Sequence, residues 1–511
     1  MVDRMTESAS ARAGTKEWIG LAVLALPTAL LAIDINVLGL ALPALSADLR
    51  PTGTQLLWIM DVYGFLIAGS LVTMGTLGDR IGRRRLLLIG ATAFTVASVM
   101  AAFSPTAGAL IAARAFLGLT GATLMPSTLS LIRTMFPDPA QRTTAIGIWM
   151  TSFMAGGSLG PLVGGTLLVH FWWGSVFLLG VPVMVLLLIL GPRLLPESTA
   201  PAPGRLDLAS AGLSLIAMLT FVYGIKQVSA DGPKAVAVAA LLVGAALAVV
   251  FVRRQRRLAD PLLDLSLFAA RTFRTALGAQ TLTVFAMAGV MFFVTQHLQL
   301  VLGRSALEAG LWMLPGTAAG IVGTLTAPRL ARRFRPAYLM AVGFVLAGAG
   351  FVVVALLDTT SEPVEVAAAT ALLILGLGPA MTLTTDIIVS SAPPERAGGA
   401  SAVSETGGEL GMALGTAVLG SIGTAVYRAQ LGPTSAGTTD QTLGGAFAAA
   451  RELPAELSET LLTNARVAFV DGMQLVATTA AAIVLVLACA VAIALREIPA
   501  TTPTTPEETV R

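Results

Sequence analysis

One cysteine, Cys489, and two histidines, His170 and His297, stand in a chain of 511 residues. A lone cysteine excludes an intramolecular disulfide and any metal site built from several thiolates, and the histidines are too few and too separated for a zinc centre. In "VLVLACAVAIAL" Cys489 reads as a small packing residue. Charge is scarce as well: Asp, Glu, Lys and Arg make up 12% of the residues, about half of what a soluble domain uses to cover its surface. No phosphate-binding glycine loop ending in Lys and Ser or Thr occurs, which argues against direct coupling to ATP. No coherent catalytic group is visible, so no catalytic residue, metal or cofactor is assigned, and a membrane enzyme is disfavoured. A channel would need a pore-lining polar repeat, which is also missing.

What is abundant is hydrocarbon. The chain is 55% apolar with a mean hydropathy of +0.82, so most of its outer surface is expected to meet lipid. A helix needs about 20 residues to cross a roughly 30 Å hydrocarbon layer. Fourteen apolar windows of that size are centred near residues 30, 66, 95, 120, 156, 184, 216, 243, 286, 318, 347, 377, 411 and 482. The expected fold is an all-α polytopic membrane protein with 14 transmembrane helices. The polar opening "MVDRMTESASARAGTKEWIG" is too long for the start of a cleaved signal peptide, and the first apolar run reads as a span.

The basic residues set the orientation. With the amino terminus inside, "DRIGRRR", "RRQRR" followed by Arg271 and Arg274, and "RLARRFRP" all fall in inner loops. Both termini are then cytoplasmic in a multi-pass protein of the cell membrane. This asymmetry explains the net charge of +3 without a nucleic-acid partner. The expected division is a tail over 1–17, a six-helix bundle over 18–195, a linker with inserted helices 7 and 8 over 196–272, a second six-helix bundle over 273–495, and a tail over 496–511. A polar stretch over 428–469 is expected at the outer face, with short amphipathic helices in "RELPAELSETLLTNARVAF".

Few charges lie inside the spans: Asp34, Asp61, Arg114, Asp386, Glu405 and Glu409. A central charge costs roughly 2.5–3.5 kcal/mol on insertion scales, so each is expected to face the interior of the bundle. Asp34 and Asp61 enter from antiparallel helices and fall in the same outer half. Glu405 and Glu409, one helical turn apart in "ASAVSETGGELGMALG", lie on one face. Like charge and burial disfavour ionisation of both, so the pair is expected to hold and release protons. Arg114 needs an acid or carbonyls, and Asp34 is the attractive partner; for Asp386 an inner-loop arginine is expected. In "FAMAGVMFFVTQHLQL", Met287, Met291, Phe292 and Phe293 offer adaptable and aromatic surface for an organic cation, although core packing is the default for each. Trp58 and Trp312 are pocket or interface residues.

"GTLGDRIGRRRLLL", residues 75–88, resembles the signature loop of the major facilitator superfamily, carried here by Gly75, Asp79, Arg80, Gly82, Arg83 and Arg84. Arg114 in "LIAARAFLGLTGA" is similar to that superfamily's fourth-helix arginine. "GGSLGPLVGG", with Gly156, Gly160, Pro161, Gly164 and Gly165, resembles the fifth-helix motif of its proton-driven exporters. The span count and "LLAIDINVLGLALP" narrow the resemblance to the fourteen-helix drug:proton antiporters, which include quaternary-ammonium and fluoroquinolone or dye exporters. Asn36 and Gly39 stand where that group usually has Thr and Asn.

The resemblance implies gating roles for the loop and the glycine motif. It implies proton coupling and cation recognition by Asp34, Asp61, Glu405 and Glu409, with Asn36 near the pocket. It further implies a monomer in lipid that exchanges lipophilic monovalent cationic drugs, dyes and antiseptics for protons. Gly320 in "LWMLPGTAAGIVGT" stands where the quaternary-ammonium exporter of that group has a tenth-helix acid, so one counter-charge for dications is absent and monocations are the expected cargo. Proton-coupled import of a small metabolite is the alternative that the same fold allows.

Overall fold

The computed structural model describes residues 12–197, 207–231, 234–258, 261, 263–393, 397–431, 443–451 and 453–500. It is all-helical over those residues. The helices are α1 (Thr15–Leu49), α2 (Gly53–Ile81), α3 (Arg83–Ala102), α4 (Ala107–Gly121), α5 (Leu124–Met135), α6 (Pro139–His170), α7 (Ser175–Leu178), α8 (Gly180–Leu194), α9 (Leu208–Asp231) and α10 (Ala235–Gln255). There follow α11 (Arg271–Gln296), α12 (Ala306–Ala331), α13 (Pro336–Ala355), α14 (Pro363–Ser391), α15 (Ala397–Leu414), α16 (Gly420–Leu431), α17 (Leu443–Ala450) and α18 (Ala455–Ala494). Among the described residues, 12 helical stretches are long and apolar enough to cross a membrane, and the chain is a multi-pass membrane protein. Two further helices, the 24-residue α9 and the 26-residue α12, lie outside that set. Each of the apolar centres expected from the sequence falls within a helix.

Local chemistry sets the helix ends. Thr52 and Gln55 cap α2 reciprocally, as Ser305 and Glu308 cap α12. Asp138 accepts a hydrogen bond from Ala140 N just before Pro139 opens α6. Gly82, at φ +105°, makes the sharp reversal from α2 into α3, a conformation that side chains with a Cβ rarely adopt. One span is broken in the middle: α4 ends at Gly121 and α5 begins at Leu124, with Pro126 in its first turn and the Thr123 hydroxyl donating to Thr120 O. Two short π-helical segments, His297–Val301 and Gly415–Leu419, extend α11 and join α15 to α16.

Two separate apolar clusters form. The first runs from Leu21 to Leu195 and takes residues from every helix from α1 to α8; the second runs from Leu267 to Leu495 and unites α11, α13, α14 and α18 with parts of their neighbours. Among the described residues, neither takes one from α9 or α10. These two helices pack on each other, and α9 also lies along α2, where Gly69 admits Leu215 and Thr73 meets Ser214. Small residues let the helices approach without a hydrophobic driving force between them. A Cβ on Gly156 of α6 would fall on Ala29 O of α1, and one on Gly164 would lie 2.9 Å from Val37 Cγ1.

The polar stretch over 428–469 holds one short helix, α17, but differs from the expectation in "RELPAELSETLLTNARVAF". Residues from Ala455 onward are the first turns of one 40-residue helix, and α16 continues to Leu431. The regular helical period of "AELSETLLTNARVAFV" continues into the apolar run with no breaker, so the span simply extends beyond it. Residues 432–442 lie outside the described residues.

Candidate functional site

At the arginine-rich end of the molecule, the carboxylate of Asp79 joins the two clusters. Its Oδ1 accepts from Gly398 N and its Oδ2 from Gly399 N, each at 3.0 Å, in the first turn of α15. Those amides are donors that a helix start leaves unpaired, and the helix dipole favours an anion there. Arg83 Nε donates to the same Oδ1 at 3.0 Å, and its Nη1 donates to Thr134 Oγ1 at 3.1 Å. Gly75 is required alongside: a Cβ there would stand 2.6 Å from Gly398 O. Arg84 anchors the loop to the end of α8, donating to the carbonyls of Pro192 and Leu195 and pairing with Glu197. Arg80 is half-buried beside them.

A second link crosses at the same end. Arg142 Nε donates to Asp386 Oδ1 at 2.7 Å, and the Thr143 hydroxyl donates to Oδ2 at 2.6 Å. Arg142 and Thr143 lie in the first turns of α6; the sequence asks for an arginine partner to Asp386 but does not single out Arg142. With both links made, the arginine-rich ends of α2, α6, α14 and α15 are drawn together.

Deeper in the chain's interior, Asp34 and Arg114 meet as a buried ion pair, Nη1 to Oδ2 at 3.1 Å. Arg114 Nε donates to Ile59 O at 3.2 Å, and the guanidinium stacks 4.5 Å from the centre of the Tyr63 ring. Phe177 flanks it from 5.9 Å. This arrangement answers the cost of an arginine at membrane depth with an anion, a carbonyl and aromatic faces. Tyr63 lies within electrostatic range of both Asp34 and Glu409. Glu405 and Glu409 interact with each other and are both half-buried. The structure therefore pairs Asp34 with Arg114, and Glu405 and Glu409 lie one turn apart on α15. The side chains of Asp61, Asn36 and Pro161 lie outside the described residues.

The remaining candidates are spread out. Phe293 is buried inside the second cluster, its ring 5.4 Å from that of Phe469 and filling the space beside Gly423. Phe292 is largely exposed, while Met287, Met291 and Trp312 border the second cluster. Trp58 is exposed and meets Phe65 edge to face. Gly160 is buried, whereas nothing crowds Gly165. Gly320 packs on Met154 and Ile374, which occupy the room that a side chain there would need. Among the described residues no group of three or more metal-ligating side chains occurs.

Sequence reasoning missed Tyr63, Arg142, Thr143 and the amides of Gly398 and Gly399. Arg142, as a basic residue at the start of α6, was the only one of these with a visible signal.

A family model described as Major Facilitator Superfamily matches residues 24–416. The multidrug efflux pump LfrA of Mycolicibacterium smegmatis is 48% identical over 491 residues, with 95% of this chain and 97% of that protein covered. The methyl viologen resistance protein SmvA of Salmonella typhimurium is 34% identical over 482 residues, covering 93% and 97%. Among solved structures, a bacterial homologue of the human lysosomal transporter Spinster aligns with a TM-score of 0.58 at 17% identity, covering 95% of this chain and 98% of that one, which speaks to the fold alone. The multi-pass helical fold, the match over most of the chain and the full-length relatives together show that this chain belongs to the Major Facilitator Superfamily.

Proposed function

We propose that the protein exports lipophilic monovalent cations from the cytoplasm and admits protons in exchange, by alternating access. What supports this is the buried Asp34–Arg114 pair in the first cluster, together with two acids one turn apart on α15, Glu405 and Glu409. Carboxylates at membrane depth can bind an organic cation in one state and protons in another. The relative named for multidrug efflux supports export, and the one named for methyl viologen resistance supports organic cations as the cargo; methyl viologen is itself a dication, so the restriction to monovalent cations rests on Gly320 alone.

In this account α9 and α12 join the 12 apolar stretches to give fourteen spans, arranged as bundles over 18–195 and 273–495 with α9 and α10 inserted between them. The two apolar clusters support that division. The arginine-rich end is cytoplasmic, with both termini there. Asp79 and the Arg142–Asp386 link act as inner gates, a reading supported by their bonds between the two clusters, and the glycines at 75, 156 and 164 permit the close helix contacts on which the gates turn. Asp34, Asp61, Glu405 and Glu409 hold the exchanged charge, with Asn36, Met287, Met291, Phe292, Trp58 and Trp312 as surface for variable hydrocarbon. The protein acts as a monomer in lipid.

The test is uphill transport. Proteoliposomes with an imposed proton gradient are expected to move a fluorescent monocation such as ethidium against its own gradient, and collapse of the proton gradient is expected to stop it. Equal uphill transport with no proton gradient would defeat the mechanism.

A further inference from the structure

Two rows of residues run along opposite sides of α15. Gly398, Ala402, Glu405 and Glu409 recur at the spacing of helical turns and share one face. That face meets α2: a Cβ on Gly75 would stand 2.6 Å from Gly398 O, and Ala402 crowds the same glycine. Ser404, Gly407 and Gly411 form the other row, which meets α11. There a Cβ on Gly407 would stand 2.7 Å from Thr281 Oγ1, and one on Gly411 would fall on Thr281 O. Ser404 is the member of this row with a side chain to bond. Its hydroxyl donates to Gln280 Oε1 of α11 at 2.9 Å, and Gln280 Nε2 reaches Ser404 O at 3.5 Å. Both residues are buried, Gln280 at 4% and Ser404 at 0% exposure.

An amide buried at membrane depth is costly unless it is bonded, and Gln280 directs both halves of its amide at one residue of α15. Glycine surfaces let two helices approach closely but do not key their rotation. The tie between Gln280 and Ser404 does key it, because a turn of α15 about its axis would carry the hydroxyl away from the amide. At a side-chain radius of about 5 Å, a turn of about 40° moves the hydroxyl by about 3.5 Å, enough to break the bond. We propose that Gln280, which belongs to no motif in "TALGAQTLTVF", is a positioning residue for proton exchange. By holding Ser404 on the α11 side of α15, it keeps Glu405 and Glu409 turned toward α2 and the first bundle. Gln280 itself binds neither proton nor cation; it acts through the rotation of the helix that carries both acids.

This inference rests on the proton-coupled export proposed above. Purified full-length protein in weakly buffered detergent solution is titrated with tetraphenylphosphonium, and the protons released per bound cation are counted while thermal unfolding is followed in parallel. Gln280→Met keeps the length and packing of the side chain and removes both bonds; Ser404→Ala removes only the hydroxyl. In Gln280→Met the proton-to-cation ratio should fall roughly twofold or more while cation binding stays saturable, because acids displaced by ångströms no longer exchange their protons for the bound charge. Ser404→Ala should lower the ratio less, since the bond to the backbone carbonyl survives. The double variant should fall no further than Gln280→Met alone, because both substitutions break the same tie.

An unchanged ratio in Gln280→Met, or strictly additive effects of the two substitutions, would overturn the inference. So would a lowered unfolding temperature with an unchanged ratio, because that is the signature of helix packing alone. If Gln280→Met does not fold, Ser404→Ala decides: an unchanged ratio there overturns the inference and a lowered one upholds it. Wild-type protein that binds the cation without releasing protons at any pH would overturn the export proposal as well; a normal wild-type response with an unchanged Gln280→Met overturns only the role of Gln280.

Discussion

Replacing Asp79 by Asn keeps the side chain's shape and removes its charge at the one carboxylate that receives two amides from the start of α15. Asn retains one acceptor oxygen and turns an NH2 group toward the other donor. One charge-assisted hydrogen bond is lost outright and the other is weakened. The favourable interaction with the dipole of α15 also goes, and Arg83, 1% exposed, loses its anion. These bonds cross from one apolar cluster to the other, so under the proposed gating they are made only when the arginine-rich end is closed. The loss to that state is about 2–3 kcal/mol, which shifts the closed-to-open ratio about 30- to 150-fold. The shift is measurable as a change in the distance distribution between spin labels placed at the arginine-rich ends of α2 and α15, in a Cys489→Ser background that removes the only native thiol. Cation affinity, measured on equally inserted protein, should change far less than transport rate. An unchanged distance distribution, or equal losses of affinity and transport, would refute the gate assignment.

The second link should act in the same direction: Arg142→Gln or Asp386→Asn leaves a buried charge without its partner, destabilises closure by about 3 kcal/mol, and the double variant should recover part of the loss in the same distance measurement. Glu409→Gln should abolish uphill efflux at neutral pH while downhill exchange of substrate persists in proteoliposomes, and Glu405→Gln should do so less if it acts chiefly through its neighbour. Gly156→Val should push α1 and α6 apart, costing about 1–3 kcal/mol of stability by overpacking and suppressing transport, read by thermal unfolding and flux. Gly320→Asp should lower thermal stability because Met154 and Ile374 fill its surroundings; where the variant survives, its ratio of dication to monocation transport should rise.

Much of the helical framework was legible because lipid imposes a simple rule: a span is long and apolar, and a charge inside one is too expensive to be incidental. The Asp34–Arg114 pair and the arginine partner of Asp386 follow from that rule, since each charge demands an opposite one. The glycines of "GGSLGPLVGG" were legible as close-approach positions, and Gly156 against Ala29 is such a contact. What stayed hidden depends on the rotation of each helix about its axis. In a membrane both faces are apolar, so hydrophobic periodicity does not reveal which face of α2 turns Tyr63 toward Arg114. Tyr63 in "DVYGF" looks like any aromatic residue in a span. The donors to Asp79 are backbone amides, which carry no side-chain signature; only the start of α15 locates them. The continuous α18 was hidden for another reason: its polar first turns changed composition without changing helical period, and composition was mistaken for a boundary.

The central claim, that the acids of the two bundles trade protons for an organic cation, is tested most directly by proton release on binding. Purified protein in weakly buffered detergent solution is titrated with tetraphenylphosphonium near pH 7 while the solution pH and the bound cation are followed together. The account predicts that protons appear in proportion to bound cation, that the release shrinks at low and at high pH, and that Glu409→Gln reduces it at neutral pH. Saturable cation binding with no proton release at any pH from 5 to 9 would contradict it.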